Sequence, residues 1–143
     1  MIAVVQRVSR AEVRVGGAVV GRIGRGLVVL VAIERGDDAS LLDGFSDKVL
    51  QMRVFDDNTG RMNRSALDVG AGILVVSQFT LAADLSRGRR PGFDGAAPPA
   101  EAEPLYEAFC AALRAAGVHV ETGVFGERMA VELVNDGPVT IVL

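Results

Sequence analysis

The chain is short of the residues that small hydrolases and metalloproteins most often use. It holds one cysteine, Cys110, and one histidine, His119. A lone cysteine cannot close an internal disulfide. With a single histidine beside it there is no Cys/His set at metal-ligand spacing, so neither a structural zinc nor any other bound metal or cofactor is expected. Cys110 falls at an apolar position of a predicted helix, where a small buried thiol is the simpler reading than a nucleophile. No apolar run approaches the roughly 20 residues of a membrane-spanning helix. The opening Met1-Ile2-Ala3-Val4-Val5-Gln6-Arg7 has neither the long apolar region nor the small-residue cleavage site of a signal peptide, and a cytoplasmic protein is expected. No dinucleotide-binding glycine pattern occurs, because Gly24, Gly26, Gly70 and Gly72 sit at strand entrances and not in a strand-to-helix phosphate loop. Charge of neither sign dominates. A net charge of -3 argues against indiscriminate nucleic-acid binding, yet leaves room for a local arginine cluster that holds a phosphate backbone.

What the sequence has is apolar material: half of its 143 residues are hydrophobic. That length suits one domain over residues 1–143, able to bury roughly two-thirds of its unfolded surface. Ile2 to Val8 reads as a strand. Glu12-Val13-Arg14-Val15, Gly16-Gly17 and Ala18 to Ile23 read as a β-hairpin whose glycines supply the positive-φ turn. Leu27 to Ile33 is too continuously apolar for a half-exposed strand and is expected at the centre of a sheet. A helix is expected from Asp37 or Asp38 to Met52, with Leu41, Leu42, Phe45, Val49 and Met52 on one face. Val54-Phe55 is a short strand and Asp56 to Gly60 a turn that lacks the ligand pattern of a calcium loop. Arg61 to Arg64 leads on by an irregular path. Glu101 to Ala116 is a second helix ended by Gly117, and Val118 to Thr122, Met129 to Val134 and Val139 to Leu143 are strands. The fold class predicted is α+β, a mixed, mainly antiparallel, barrel-like sheet with two principal helices.

Two stretches stand out. Ile73 to Leu81 is an apolar strand that ends on Ser77, Gln78 and Thr80. Polar side chains buried there either satisfy one another and nearby backbone or need a ligand. Ala82 to Pro99 is rich in Gly, Pro and Arg, with a basic centre at Arg87-Gly88-Arg89-Arg90, and a long irregular segment inside a compact domain is more often functional than idle.

Ser77-Gln78-Phe79-Thr80-Leu81, followed by Asn135-Asp136-Gly137-Pro138-Val139-Thr140, resembles the D-aminoacyl-tRNA deacylase family of the bacterial and eukaryotic type. The likeness extends to Val5-Gln6-Arg7-Val8, Gly60 to Asn63, Gly88 to Phe93, Ala97-Pro98-Pro99 and Thr122 to Gly126, and so spans essentially the whole chain. Ala32 and Leu85-Ser86 depart from the pattern. The resemblance implies an editing hydrolase that frees D-amino acids from tRNA, and also glycine mischarged on tRNA(Ala), while sparing L-aminoacyl-tRNA. It implies catalysis assisted by the ribose 2′-hydroxyl, with Ser77, Gln78, Phe79 and Thr80 at the reacting centre. It further implies a homodimer in which a cis Gly137-Pro138 peptide reaches into the partner's pocket. Gly137, Pro138, Asn135, Met129 and Arg7 then surround the substrate, and Arg87, Arg89 and Arg90 engage tRNA. The residues alone leave two other readings open: a non-catalytic dimeric nucleic-acid-binding protein that uses the arginine loop, and a small-ester hydrolase with Thr80 as nucleophile.

Overall fold

The computed structural model describes residues 1–143. A 14-residue strand, β1 (Ile2–Val15), organises the sheet. Its second half pairs with β2 (Ala18–Ile23) through the Gly16-Gly17 turn, where both glycines have positive φ, and its first half pairs with β3 (Gly26–Ala32). Outward-facing charges mark the hairpin: Arg22 donates to Glu12 at 3.0 and 2.8 Å from the neighbouring strand. β6 (Gly72–Ser77) lies parallel to β3, and β7 (Val120–Thr122) parallel to β6. β8 (Ala130–Val142) runs antiparallel along β1 over most of its length and has no strand on its other edge. The mixed sheet curls until β2 meets β7. A side chain at Gly21 would put its Cβ 2.5 Å from the Thr122 carbonyl, so glycine is required for that close approach.

Burial on both faces explains the continuous apolar runs. In β3 and β6 alternate residues point to opposite sides. Leu27, Val29, Val31, Ile73 and Val75 face a helical layer, whereas Val28, Leu74 and Val76 fill the barrel with Val8, Ala11, Val13 and Ile23. The helical layer is α1 (Leu42–Gln51) and α3 (Pro99–Ala115), joined through an edge-to-face contact of Phe45 and Phe109.

Several elements differ from expectation in their limits. The first helix begins with a 3-10 turn, Ala39–Leu41, capped by Asp38, and becomes α-helical only at Leu42. The supposedly irregular Arg61 to Arg64 contains β5 (Met62–Arg64), which pairs with β4 (Phe55–Asp56). The turn between them is tied by Asp57, whose carboxylate accepts from Thr59, Arg61 and Asn63 and is thereby held at about 2. A one-turn helix, α2 (Ala66–Val69), follows with a capping box between Ser65 and Asp68. The two strands expected at the C-terminus are one, because β1 continues to pair with the chain on both sides of the Asn-Asp-Gly-Pro segment.

Candidate active site

The apolar strand stops sooner than its composition suggests. β6 ends at Ser77, and Phe79–Ala82 form a 3-10 turn. The last sheet bond is from the Gln78 amide to the Val31 carbonyl, 2.8 Å, after which the Leu81 amide returns to the Gln78 carbonyl at 3.1 Å. The polar trio is therefore not buried: Ser77 and Gln78 are half-buried, Thr80 is exposed, and Phe79 is 55% exposed. The expectation of buried groups in need of partners fails because the chain turns outward at Gln78. Its side-chain amide donates to the Thr80 hydroxyl, so these two satisfy each other. The Phe79 and Thr80 amides open a helical turn and have no acceptor within it, which leaves two backbone donors side by side.

Ser77, Gln78 and Phe79 border a cavity of about 610 Å³, and Thr80 follows just outside its lining. Ser77, Gln78 and Phe79 form one wall, Met129 and Phe125 another, and Phe93 a third, with Phe79 and Phe93 in edge-to-face contact at 5.0 Å. The floor is apolar, from Val76, Ala96, Ala97 and Ala102. Such a chamber has the size and lining of a small-ligand site. Phe93 and Phe125 lie within stretches that carry the family likeness, but their distance from Phe79 in sequence hid the aromatic wall. Arg35, on the rim, gave no signal of its own.

Arg87, Arg89 and Arg90 stand on an exposed loop that is closed at its base by a pair of bonds between Asp84 and Gly92, each 2.8 Å. Phe93 follows directly, so the loop springs from the cavity's edge.

The C-terminal motif lies elsewhere on the chain. Across β1 the register jumps from Gln6 opposite Thr140 to Val8 opposite Asn135, so residues 136–139 bulge out of β8. Asn135 closes the neck with its side chain: Oδ1 accepts from the Val139 amide at 2.8 Å and Nδ2 donates to the Thr140 hydroxyl at 3.1 Å. Arg7 braces the bulge from beneath. Its Nε donates to the Asp136 carbonyl at 2.9 Å and Nη1 to the Val54 carbonyl at 2.7 Å. The Gly137-Pro138 peptide is cis, and a Cβ at Gly137 would lie 2.8 Å from the Val139 side chain. Of the residues singled out in sequence, the fold thus gathers Ser77, Gln78, Phe79 and Met129 at the cavity. Arg7, Asn135, Gly137 and Pro138 gather at the bulge, and none of those four lines the cavity of its own chain.

Other nucleophile candidates fall away on position. The His119 carbonyl accepts from the Ile73 amide at the opposite end of β6, about 15 Å along the strand from Ser77. Cys110 is buried in α3, and burial pushes its thiol up from the ordinary range. No three His, Cys, Asp or Glu side chains approach closely enough to hold a metal, and no helix is long and apolar enough to cross a membrane.

The model of the D-Tyr-tRNA(Tyr) deacylase family matches residues 4–143. A protein of Dinoroseobacter shibae named D-aminoacyl-tRNA deacylase is 63% identical over 141 residues, covering 99% of this chain and 97% of its own. Its namesake from Symbiobacterium thermophilum is 60% identical over 141 residues, covering 99% and 93%. A solved structure titled c-Myc DNA Unwinding Element Binding Protein superposes with a TM-score of 0.94 at 43% identity, covering 100% of this chain and 97% of that one. The cavity at the end of β6, the bulge in β8 and the barrel that holds them are therefore those of a member of the D-Tyr-tRNA(Tyr) deacylase family, to which this chain belongs.

Proposed function

We propose that this protein hydrolyses the ester of D-aminoacyl-tRNA to free amino acid and tRNA. The observation that carries the reading is the aromatic-walled cavity bordered by Phe79, whose amide and that of the adjacent Thr80 open a 3-10 turn, in a chain whose full-length relatives bear the deacylase name. The terminal adenosine packs against the Phe79–Phe93 pair, and the ester carbonyl turns toward the two amides. Water adds to the carbonyl carbon, and the bond to the ribose oxygen then breaks as that oxygen takes a proton. Paired backbone donors at a developing oxyanion are worth several kcal/mol. No histidine stands near, since His119 is remote, and the one carboxylate on the cavity lining, Glu127, is exposed to solvent. The neighbouring ribose 2′-hydroxyl takes over the orienting role, which an intrinsically labile ester permits.

Sparing L-aminoacyl-tRNA by a factor of about 10³–10⁴ requires roughly 4–5.5 kcal/mol, more than the ~1–3 kcal/mol of one hydrophobic contact. Exclusion by rigid backbone meets that demand, and Gly137-Pro138 supplies it from a second copy of the chain. The unpaired edge of β8, with Val131, Val134, Ile141 and Val142 exposed, supports such a homodimer. Glycine has no side chain to exclude, so glycyl-tRNA, including glycine mischarged on tRNA(Ala), is also a substrate. Residues 1–143 act as one domain, in the cytoplasm where charged tRNA is found. A DNA-binding role is the second reading, favoured by the name of the 43%-identical structure and the exposed arginine loop.

Release of labelled amino acid from D-tyrosyl-, L-tyrosyl- and glycyl-tRNA tests these readings. Cleavage of the D and glycyl esters alone, retained in Thr80→Ala, is expected. Abolition of cleavage in a folded Thr80→Ala protein would assign the chemistry to that hydroxyl. Inertness of the unmodified protein toward all three would leave the nucleic-acid-binding reading.

A further inference from the structure

Two charged side chains line the cavity, Arg35 and Glu127, and only Arg35 is cationic. The backbone around Arg35 is fixed on both sides. Ile33 accepts from the Ala97 amide at 3.0 Å, Glu34 bridges to Ala96, and the Arg35 amide donates to the Gly95 carbonyl at 2.9 Å. Asp37 then accepts from the Glu34 amide at 2.7 Å, folding the turn back at Gly36, whose φ is +87. Arg35 Nε donates to the Asp94 carbonyl at 2.7 Å, while the side chain as a whole is exposed. A neutral carbonyl that takes one nitrogen orients the guanidinium without spending its charge. The two terminal nitrogens are left as a fork at the mouth, the arrangement suited to a phosphate.

We propose that Arg35 receives the phosphodiester joining the terminal adenosine of the tRNA to the preceding nucleotide. The proposal rests on the hydrolase reading above. An aminoacylated nucleoside seated in the cavity carries its nearest negative charge on its 5′ side, and this phosphate must leave through the rim. Glu127 disfavours an anion on its own side of the mouth, and Arg35 attracts one. Asp94, which orients Arg35, lies at the root of the loop bearing Arg87, Arg89 and Arg90, so the same strand continues onto a basic surface. The phosphate contact sets the depth to which the substrate enters, and carries no base preference.

The test compares the 3′-D-tyrosyl ester of adenosine with the same ester bearing a 5′-phosphate. The unmodified protein should favour the phosphorylated ester by about tenfold in kcat/KM. Arg35→Ala should bring that ratio close to one, and Arg35→Lys should retain part of the preference. With D-tyrosyl-tRNA, Arg35→Ala should raise KM and flatten its logarithmic salt dependence by about 0.7. A merely structural role for Arg35 would lower both small esters alike and leave their ratio intact. That result, or an unmodified protein indifferent to the phosphate, overturns the proposal while leaving the hydrolase reading standing. Failure of the unmodified protein to cleave D-tyrosyl-tRNA removes both.

Discussion

Replacing Arg7 by lysine separates the role of the bulge from that of the cavity. The Arg7 side chain is 11% exposed and bonds two main-chain carbonyls, those of Asp136 and Val54, with Asp56 Oδ1 at 3.4 Å. Lysine keeps the charge but has one nitrogen, which reaches one carbonyl in place of two separated ones. A hydrogen bond from a charged donor contributes about 1.5–3 kcal/mol, so the substitution should cost about that much. For a chain of this length, each kcal/mol lowers Tm by roughly 3–5 °C, giving a fall of about 5–15 °C in a thermal melt at fixed protein concentration. Since the Asp136 bond is the one that braces Gly137-Pro138, the ratio of D- to L-tyrosyl-tRNA cleavage should shrink by about tenfold or more, one decade for each 1.36 kcal/mol of lost exclusion. An unchanged melt would refute the energetic reasoning. A lowered melt with an intact D-to-L ratio would refute the link between the bulge and chirality.

Glycine-to-alanine replacements at two sites should act in opposite directions. At Gly26 a Cβ would lie 1.9 Å from the Gly72 carbonyl of the parallel neighbour, so the strands must part and urea unfolding should show a loss above about 3 kcal/mol. At Gly44, within α1, a Cβ meets nothing within 4 Å and should add about 0.5–1 kcal/mol; a loss at Gly44 equal to that at Gly26 would discredit the steric account. Alkali should destabilise the fold through α3. Burial, foremost, raises both the Tyr106 phenol, which donates to the Val75 carbonyl, and the Cys110 thiol. Both stay protonated in the folded chain after the unfolded chain has lost its protons. Stability therefore falls once pH passes about 8.5 and again about 10, by up to about 1.4 kcal/mol per pH unit for each group. Tyr106→Phe should remove the upper part of that slope, and an identical slope in the variant would show that the phenol is not its source.

How far the sequence disclosed this molecule depended on whether local chemistry or a distant partner decided each element. The runs Leu27 to Ile33 and Ile73 to Val76 declare a two-faced burial that only a central strand can satisfy, and Gly16-Gly17 declares a hairpin. The point at which β6 ends is not local. It is set by the Gln78 amide finding its last acceptor in Val31, and so the exposure of Phe79 and Thr80 could not be read from their neighbours. β5 is three residues long, too short for any periodicity. Ser65-Ala66-Leu67-Asp68 does have capping-box spacing, and Gly70 takes the left-handed C-cap, so α2 was legible and was missed. Asn135-Asp136-Gly137-Pro138 has every mark of a turn that ends a strand. β1 overrides that signal by offering partners on both sides of it.

The same override bears on assembly. β8 passes the cavity at Val131 and reaches the bulge only after Asn135, so along the strand Gly137 lies roughly 15–20 Å beyond the cavity wall. Arg7, Asn135 and pairing to β1 on either side hold it there, which leaves no hinge by which it could fold back onto its own cavity. If the Gly137-Pro138 segment excludes L-substrates as proposed, it must do so at the cavity of another copy. A two-fold axis beside the exposed edge of β8 would use both surfaces at once, because an isologous contact that brings one bulge to the neighbouring cavity necessarily brings the other as well. The proposed chiral role thus predicts that Phe79 and Gly137 share a site only between two copies, and that disruption of the β8 edge should abolish chiral editing in a protein whose own barrel stays folded.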